Sequence, residues 1–331
     1  MSIVKSSDGG YRRLPLVAAF WIFLVAGGGL AAYENDPYTG RCQPIADSTQ
    51  ELDARVNEAL ERAAERWRGV PDDLRFAHKI YWRLGGPHWV DRIERWAIRS
   101  REIEKLGQER SIYRGGPLSG LRVTFFFGVG KTLRLSGVLV GSDKLGHFFS
   151  QGYRYYARHR RGKPEDEILR QGRRHETWVF GTISTGVFSN ADLVANYEGY
   201  LFYRSLFEDG VVPGKPAVVA WRGGRPVLQR PFTWRDHVND YWDEALNPSF
   251  FVPALQRYMD QVLAGLCNEY RHRPGLVTIR DDDGLRRRYS RLGLRDASYN
   301  RLDKICGAAP AREPAIAVAR GRPSPDGPES R

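Results

Sequence analysis

A chain of 331 residues that is 41% hydrophobic and 12% aromatic has ample apolar surface to bury, which excludes wholesale disorder and allows one large domain or two ordinary ones. The formal charge is +12, and residues 271–331 alone carry 14 basic and 8 acidic side chains, half of that excess. Such a surface favours anionic partners, and the compartment decides which anions it meets.

The N-terminal 32 residues bear on the compartment. Lys5, Arg12 and Arg13 precede the run Leu14–Ala32 (LPLVAAFWIFLVAGGGLAA), which holds no charged residue. Nineteen residues at about 1.5 Å each cover about 28 Å, enough for a bilayer core, with the basic side kept inside. Gly29 and Ala31 also offer a small-residue pair for signal cleavage, so residues 14–32 are expected to be a transmembrane anchor or a signal peptide. Either way residues 1–13 stay cytoplasmic and 33–306 form a periplasmic, mainly helical domain, with a subdivision near residue 110 left open. Of the three cysteines, Cys267 and Cys306 are the preferred pair in that oxidising compartment.

Residues 51–69 put Leu52, Val56, Leu60 and Ala63 on one stripe, which predicts an amphipathic helix. Helices are expected at about 72–84 and 88–106, separated by Gly85-Gly86-Pro87. The period then shortens: Leu121, Val123, Phe125 and Phe127 alternate, as do Leu133 and Leu135, predicting a hairpin and a short strand to Val140. Gly130-Lys131-Thr132 looks like the end of a P-loop, but Phe125 stands where that motif needs glycine and strand-like residues follow it. Further helices are expected at about 143–160 with Ser142 as cap, after Pro164 as first helical residue, at 191–207 capped by Ser189 or Asn190, and at 252–270. A small hairpin should turn at Gly223-Gly224, and residues 307–331 read as a disordered basic tail. The expected fold is mainly α, a helical bundle with one or two small β-hairpins and a single N-terminal membrane segment.

Two segments break ordinary patterning. In GSDKLGHFF, Asp143 and His147 are four apart and share a helix face; in SNADLVANYEG, Asp192 and Asn196 do the same. Gly146, Gly152 and Gly199 would let the two faces approach. The functional reading gives acid–base roles to Asp143, His147, Asp192 and Asn196, or a divalent metal held by His147, Asp143, Asp192 and His175 with Glu176 beside it. The bland reading makes the two aspartates helix-terminal acids and His147 a core histidine bonded to one of them. A third polar patch, WRDHVNDYWDEALNPS (residues 234–249), lacks the alternation of an EF-hand and reads as a capped loop-to-helix junction.

DKLGHFF, GVFSNADLVANYEGYLFYR and WRDHVNDYWDEALNPSFF, taken in order, resemble a group of uncharacterised exported envelope proteins of Gram-negative bacteria. The resemblance covers about residues 140–255; it implies an envelope address and brings no activity with it. The favoured expectation is therefore a membrane-tethered or exported envelope protein that binds anionic lipid, glycan or an envelope protein. The alternative is a metal-dependent or acid–base hydrolase of an envelope substrate, and nucleic acid is the least favoured partner because export removes it.

Overall fold

A computed structural model of the chain describes residues 34–87, 90–107, 109–117, 129–177, 186–270 and 273–307. The run 14–32, the strand expected at 121–127, most of the glycine-rich stretch 181–186 and the tail after 307 lie outside the described residues. The described fold is mainly α, with small two-stranded sheets at its margins, and no helix among these residues is long and apolar enough to cross a membrane.

The first three helices follow the apolar period and end where side chains turn into the core. Helix α1 (Thr49–Glu65) buries Leu52, Val56, Ala59, Leu60 and Ala63. It stops four residues short of the expected Gly69. Beyond its end Trp67 is buried, its indole N–H donating to Gly69 O and its ring 5.1 Å from Trp221. Helix α2 (Asp73–Leu84) starts where Asp72 accepts a bond from Arg75 N–H. Helix α3 (Arg92–Arg99) is much shorter than the expected 88–106. Ser100 turns extended, and Leu106 instead makes a one-residue antiparallel bridge to Thr132.

The first arm of the expected hairpin, 121–127, lies outside the described residues, and the second forms a hairpin with the strand that follows it. Strand β1 (Glu34–Asn35) pairs in parallel with β2 (Val129–Gly130), while β3 (Thr132–Leu135) folds back on β4 (Val138–Gly141). Ser136 and Gly137 both have positive φ, 53° and 80°, so the two-residue turn matches the right-handed twist of its strands. The run Leu133–Val140, expected to supply one hairpin arm and a short strand, is thus a hairpin in its own right. Gly130-Lys131-Thr132 leads into β3, as the rejection of a P-loop requires.

The centre of the molecule is one long helix crossed by another. Helix α4 (Asp143–Gly146), a π-helical turn (His147–Gln151) and α5 (Gly152–Arg160) run without a break, every junction residue being right-handed helical. Ser142 stands at the start, but its hydroxyl makes no cap bond. Helix α6 (Glu165–His175) follows, with Pro164 one position before the helix rather than inside it, and Glu165, Asp166 and Glu167 in the first turn suit the dipole. Strand β5 (Val187–Phe188) leads into α7 (Asn190–Ser205), capped by Ser189, whose Oγ accepts from Asp192 N–H.

Thirteen of the 16 residues of α7 are buried, so it is a core helix, and it packs on α5 through glycine. A Cβ placed on Gly199 would sit 2.0 Å from Phe148 O, and one on Gly152 would sit 2.5 Å from the Gly199 carbonyl carbon. The two backbones are in contact. Around this crossing Phe148, Phe149, Phe202, Phe232, Trp234 and Trp242 pack edge to face.

The remaining chain wraps this pair. Strands β6 (Val219–Arg222) and β7 (Arg225–Leu228) form the hairpin expected at Gly223-Gly224, and β8 (Phe250–Phe251) pairs with β5. The helix expected at 252–270 is divided into α8 (Pro253–Gly265) and α9 (Cys267–Tyr270), and α11 (Leu302–Gly307) follows α10 (Asp282–Arg288). A disulfide joins Cys267 to Cys306, tying α9 to α11, and Cys42 is free. The apolar core has a large part around α7 and a smaller one around Leu255, Met259 and Leu263; each draws residues from both sides of position 110.

Candidate metal centre

The glycine crossing sets the start of α4 beside the start of α7. Asp143 and His147 stand one turn apart on the first, Asp192 and Asn196 one turn apart on the second. His147 Nε2 lies 3.2 Å from Asp192 Oδ2, and His147 Nδ1 lies 3.0 Å from Asn196 Oδ1. Asp143, His147 and Asp192 each present one ligand atom such that all three lie within 4.8 Å of one another. Their side chains keep 15%, 17% and 10% exposure, so the cluster is sunk in the protein without being sealed.

Two charged residues that sequence reasoning did not place here complete the cluster. Lys144, 1% exposed, holds Nζ 2.9 Å from Asp143 Oδ2, 2.6 Å from Asp192 Oδ1 and 2.8 Å from Glu244 Oε1. Glu244 also accepts a 2.6 Å bond from Ser189 Oγ. A lysine next to Asp143 in DKLGH was the available signal, since a side chain at i+1 on a helix points away from its neighbour's solvent face. Glu244 had none beyond the density of acids in residues 234–249. Asp143 Oδ1 and Glu244 Oε2 are buried oxygens with no hydrogen-bond partner among the described residues.

The charges do not balance. Three carboxylates face one ammonium, and behind them Asp91, just before α3, and Glu94 within it crowd against Gly146. Burial pushes Asp91 up to about 7, against the bond from Ser150 and the attraction of nearby arginines. Burial, then the charges of Asp143 and Asp91, hold Glu94 well above the carboxylate range. Burial also lifts Asp143 to about 6; Lys144 opposes this while Asp192 and Glu244 reinforce it. Asp192 moves the other way: burial raises it, but His147, Lys144 and the bonds from Lys144 and Ser189 outweigh burial. Lys144 keeps its proton firmly, because the three carboxylates overcome the desolvation that would lower it. An excess of negative charge under cover calls for a proton or a cation.

The imidazole poses the same question in geometric form. If His147 is neutral and donates Nδ1–H to Asn196 Oδ1, its Nε2 lone pair faces the carboxylate of Asp192 at 3.2 Å. Two acceptors at that distance repel unless something positive lies between them. A bonded Nδ1–H that leaves Nε2 free is also the arrangement of a metal-bound histidine.

The other polar residues singled out in the sequence lie elsewhere. His175, half-buried at the end of α6, is outside the converging set; burial and then Arg158 and Arg154 hold its pKa down. Glu176 is buried near Tyr155, whose pKa its charge helps to raise, and lies outside the converging set. The third patch supplies counter-groups across the core. His237 meets Glu198, Asp240 meets Arg280, Asp243 makes a buried ion pair with Arg41 at 2.8 Å, and Glu244 meets Lys144. Comparison of the chain with protein-family models, with curated proteins and with solved structures finds no match in any of the three.

Proposed function

We propose that Asp143, His147 and Asp192 hold a divalent cation and that the protein is a metal-dependent hydrolase of the cell envelope. One observation carries the reading: three ligand atoms of suitable type lie within 4.8 Å of one another, in a cluster whose carboxylates exceed its ammonium by two. A divalent ion would neutralise that excess and could be held by His147 Nε2 and Asp192 Oδ2 together, which lie 3.2 Å apart. Three protein ligands leave coordination positions for water, whose pKa such an ion lowers. Asn196 orients the imidazole, Lys144 holds the three carboxylates in place, and the free oxygen of Glu244 is an acceptor for a proton.

Metal analysis of the purified chain after dialysis tests this. One equivalent of a divalent ion is expected in the wild type and none in Asp192→Asn, with ester or phosphodiester hydrolysis lost in Asp143→Asn while the circular dichroism stays unchanged. A metal-free wild type that binds no added ion, with ¹⁵N shifts showing a permanently protonated His147, overturns the reading.

The second reading is a binding or structural protein that docks on anionic lipid, glycan or an envelope partner, and the +12 charge favours it. Both readings share the envelope address. Leu14–Ala32 would anchor the chain in the inner membrane or be cleaved as a leader, and the Cys267–Cys306 disulfide is of the kind that persists outside the cytoplasm. A phosphatase fusion at Arg331 should be active; a cytosolic report there would remove the envelope from both readings.

A further inference from the structure

We infer that the arginine-lined cleft between α6 and the loop at residues 293–295 is a binding site for a phosphate group. Arg170, Arg173 and Arg174 fall on one face of α6 at spacings of three and four, and Arg295 approaches from the opposite wall. Thr177 and Phe188 complete most of the lining, and no carboxylate belongs to it. The volume is about 320 Å³, at the small end of ligand-sized cavities.

Among the described residues no carboxylate makes an ion pair with an arginine of this cleft, although Asp166, one turn before Arg170 on α6, feels the charges of Arg170 and Arg173. The acids of the first turn of α6 are engaged elsewhere, Glu165 and Asp166 by Arg291 and Glu167 by Lys163. Arg170, Arg174 and Arg295 make no ion pair among the described residues. The helix dipole accounts for basic residues in the last turn, where Arg173 and Arg174 stand, but not for Arg170 one turn earlier or for Arg295 on another segment. Like charges on one helix face repel, so folding alone does not favour this grouping.

The walls are also built. Arg295 is seated by a reciprocal pair of 2.9 Å bonds between its backbone and the Asn190 amide, and its guanidinium stacks on Phe188 at 4.1 Å and Phe250 at 5.0 Å. Arg173 donates to Arg291 O and Leu292 O, which fixes the loop against α6. Planar guanidinium forks held in place are the groups that bind phosphate oxygens in pairs. Gly293 and Arg295 also line a neighbouring cleft of about 460 Å³, so a phosphate on the arginines has room beside it for the rest of a larger molecule. Phe188 lies four residues before Asp192, which places the cleft at the same end of α7 as the proposed ion. None of the cleft residues is a proposed metal ligand, so the two ideas fail separately.

The phosphate can be free or part of a lipid headgroup, and the test separates these. Inorganic phosphate is titrated calorimetrically into the full chain, into Arg170→Gln/Arg174→Gln, and into Arg222→Gln/Arg225→Gln, which removes equal charge from the exposed β6–β7 hairpin. The cleft variant should lose about tenfold in affinity or more, and the hairpin variant should match the wild type. Vesicles of phosphatidylcholine with and without phosphatidylglycerol form the second arm. Weaker capture of the cleft variant by the anionic vesicles identifies a lipid headgroup, and equal capture with weakened phosphate binding identifies a soluble phosphate. Thermal melts check that the variants fold. Equal phosphate affinity in the two double variants, or no saturable binding by the wild type, overturns the inference.

Discussion

Asp91 shows how a single buried carboxyl shapes the response of the whole protein to pH. Its pKa is raised to about 7 by burial, from an ordinary value of 3.8. Between those values the folded chain holds a proton that the unfolded chain has released, so stability falls as pH rises through this window and levels off above it. The full shift corresponds to at most about 4 kcal/mol. Asp91→Asn cannot ionise, so its unfolding free energy should lose less between about pH 4 and pH 7.5 than that of the wild type. Urea titrations of both proteins at several pH values measure the difference. Parallel curves would mean that Asp91 is ionised in the fold. Glu94 and Asp143, raised by the same burial, should steepen the wild-type fall, which is why the comparison with the variant is the informative one.

Among the elements, the crossing of α5 and α7 is the contact on which the site depends. Gly152 and Gly199 bring two backbones together, and that approach sets Asp143 and His147 opposite Asp192 and Asn196. Gly199→Ala would drive a methyl group to 2.0 Å from Phe148 O, a backbone atom that cannot rotate away. The helices must separate, and overpacking of this kind costs about 1–3 kcal/mol or more. Expected outcomes are a clear drop in melting temperature and, in whatever protein still folds, weakened divalent-ion binding. A variant with wild-type melting and wild-type ion affinity would show that the crossing does not position the ligands. The π-helical turn His147–Gln151 lies in the same stretch, and such turns occur often where a helix is bent to serve a site.

At the scale of the whole molecule, the disulfide and the ion pairs fasten the peripheral C-terminal segments to the core. Cys267–Cys306 closes a loop with a sequence separation of 39, and a cross-link of that span contributes about 2–4 kcal/mol by restricting the unfolded chain. Cys306→Ser should lower the unfolding free energy by an amount in that range, measured in denaturant, and dithiothreitol should do the same to the wild type but nothing further to the variant. Arg288 and Tyr289, which meet the fully buried Glu198, form a second attachment of the same region to α7. Because that attachment survives reduction, the loss should loosen the C-terminal region without unfolding α7.

The helix over the apolar stripe Leu52, Val56, Leu60 and Ala63 and the Ser189-capped start of α7 were legible for local reasons, because a helix must cover its own stripe and satisfy its first N–H groups. The pairing of Asp143 with His147 and of Asp192 with Asn196 was equally local, set by four-residue spacing. Helix ends were less legible where a long-range contact decided them, as when Trp67 turned into the core or Leu106 bridged Thr132. Glu244, Asp91 and Glu94 could not be assigned to the cluster in advance, since 100 residues of chain separate Lys144 from Glu244 and only burial makes their charges interact strongly. The same holds for the arginine cleft, whose fourth member comes from a loop far along the chain. The amino-acid order by itself determined the mainly helical class and which polar residues share a helix face. Which faces meet, and which charges are left without a partner under cover, was decided only when the glycine crossing closed and water was excluded.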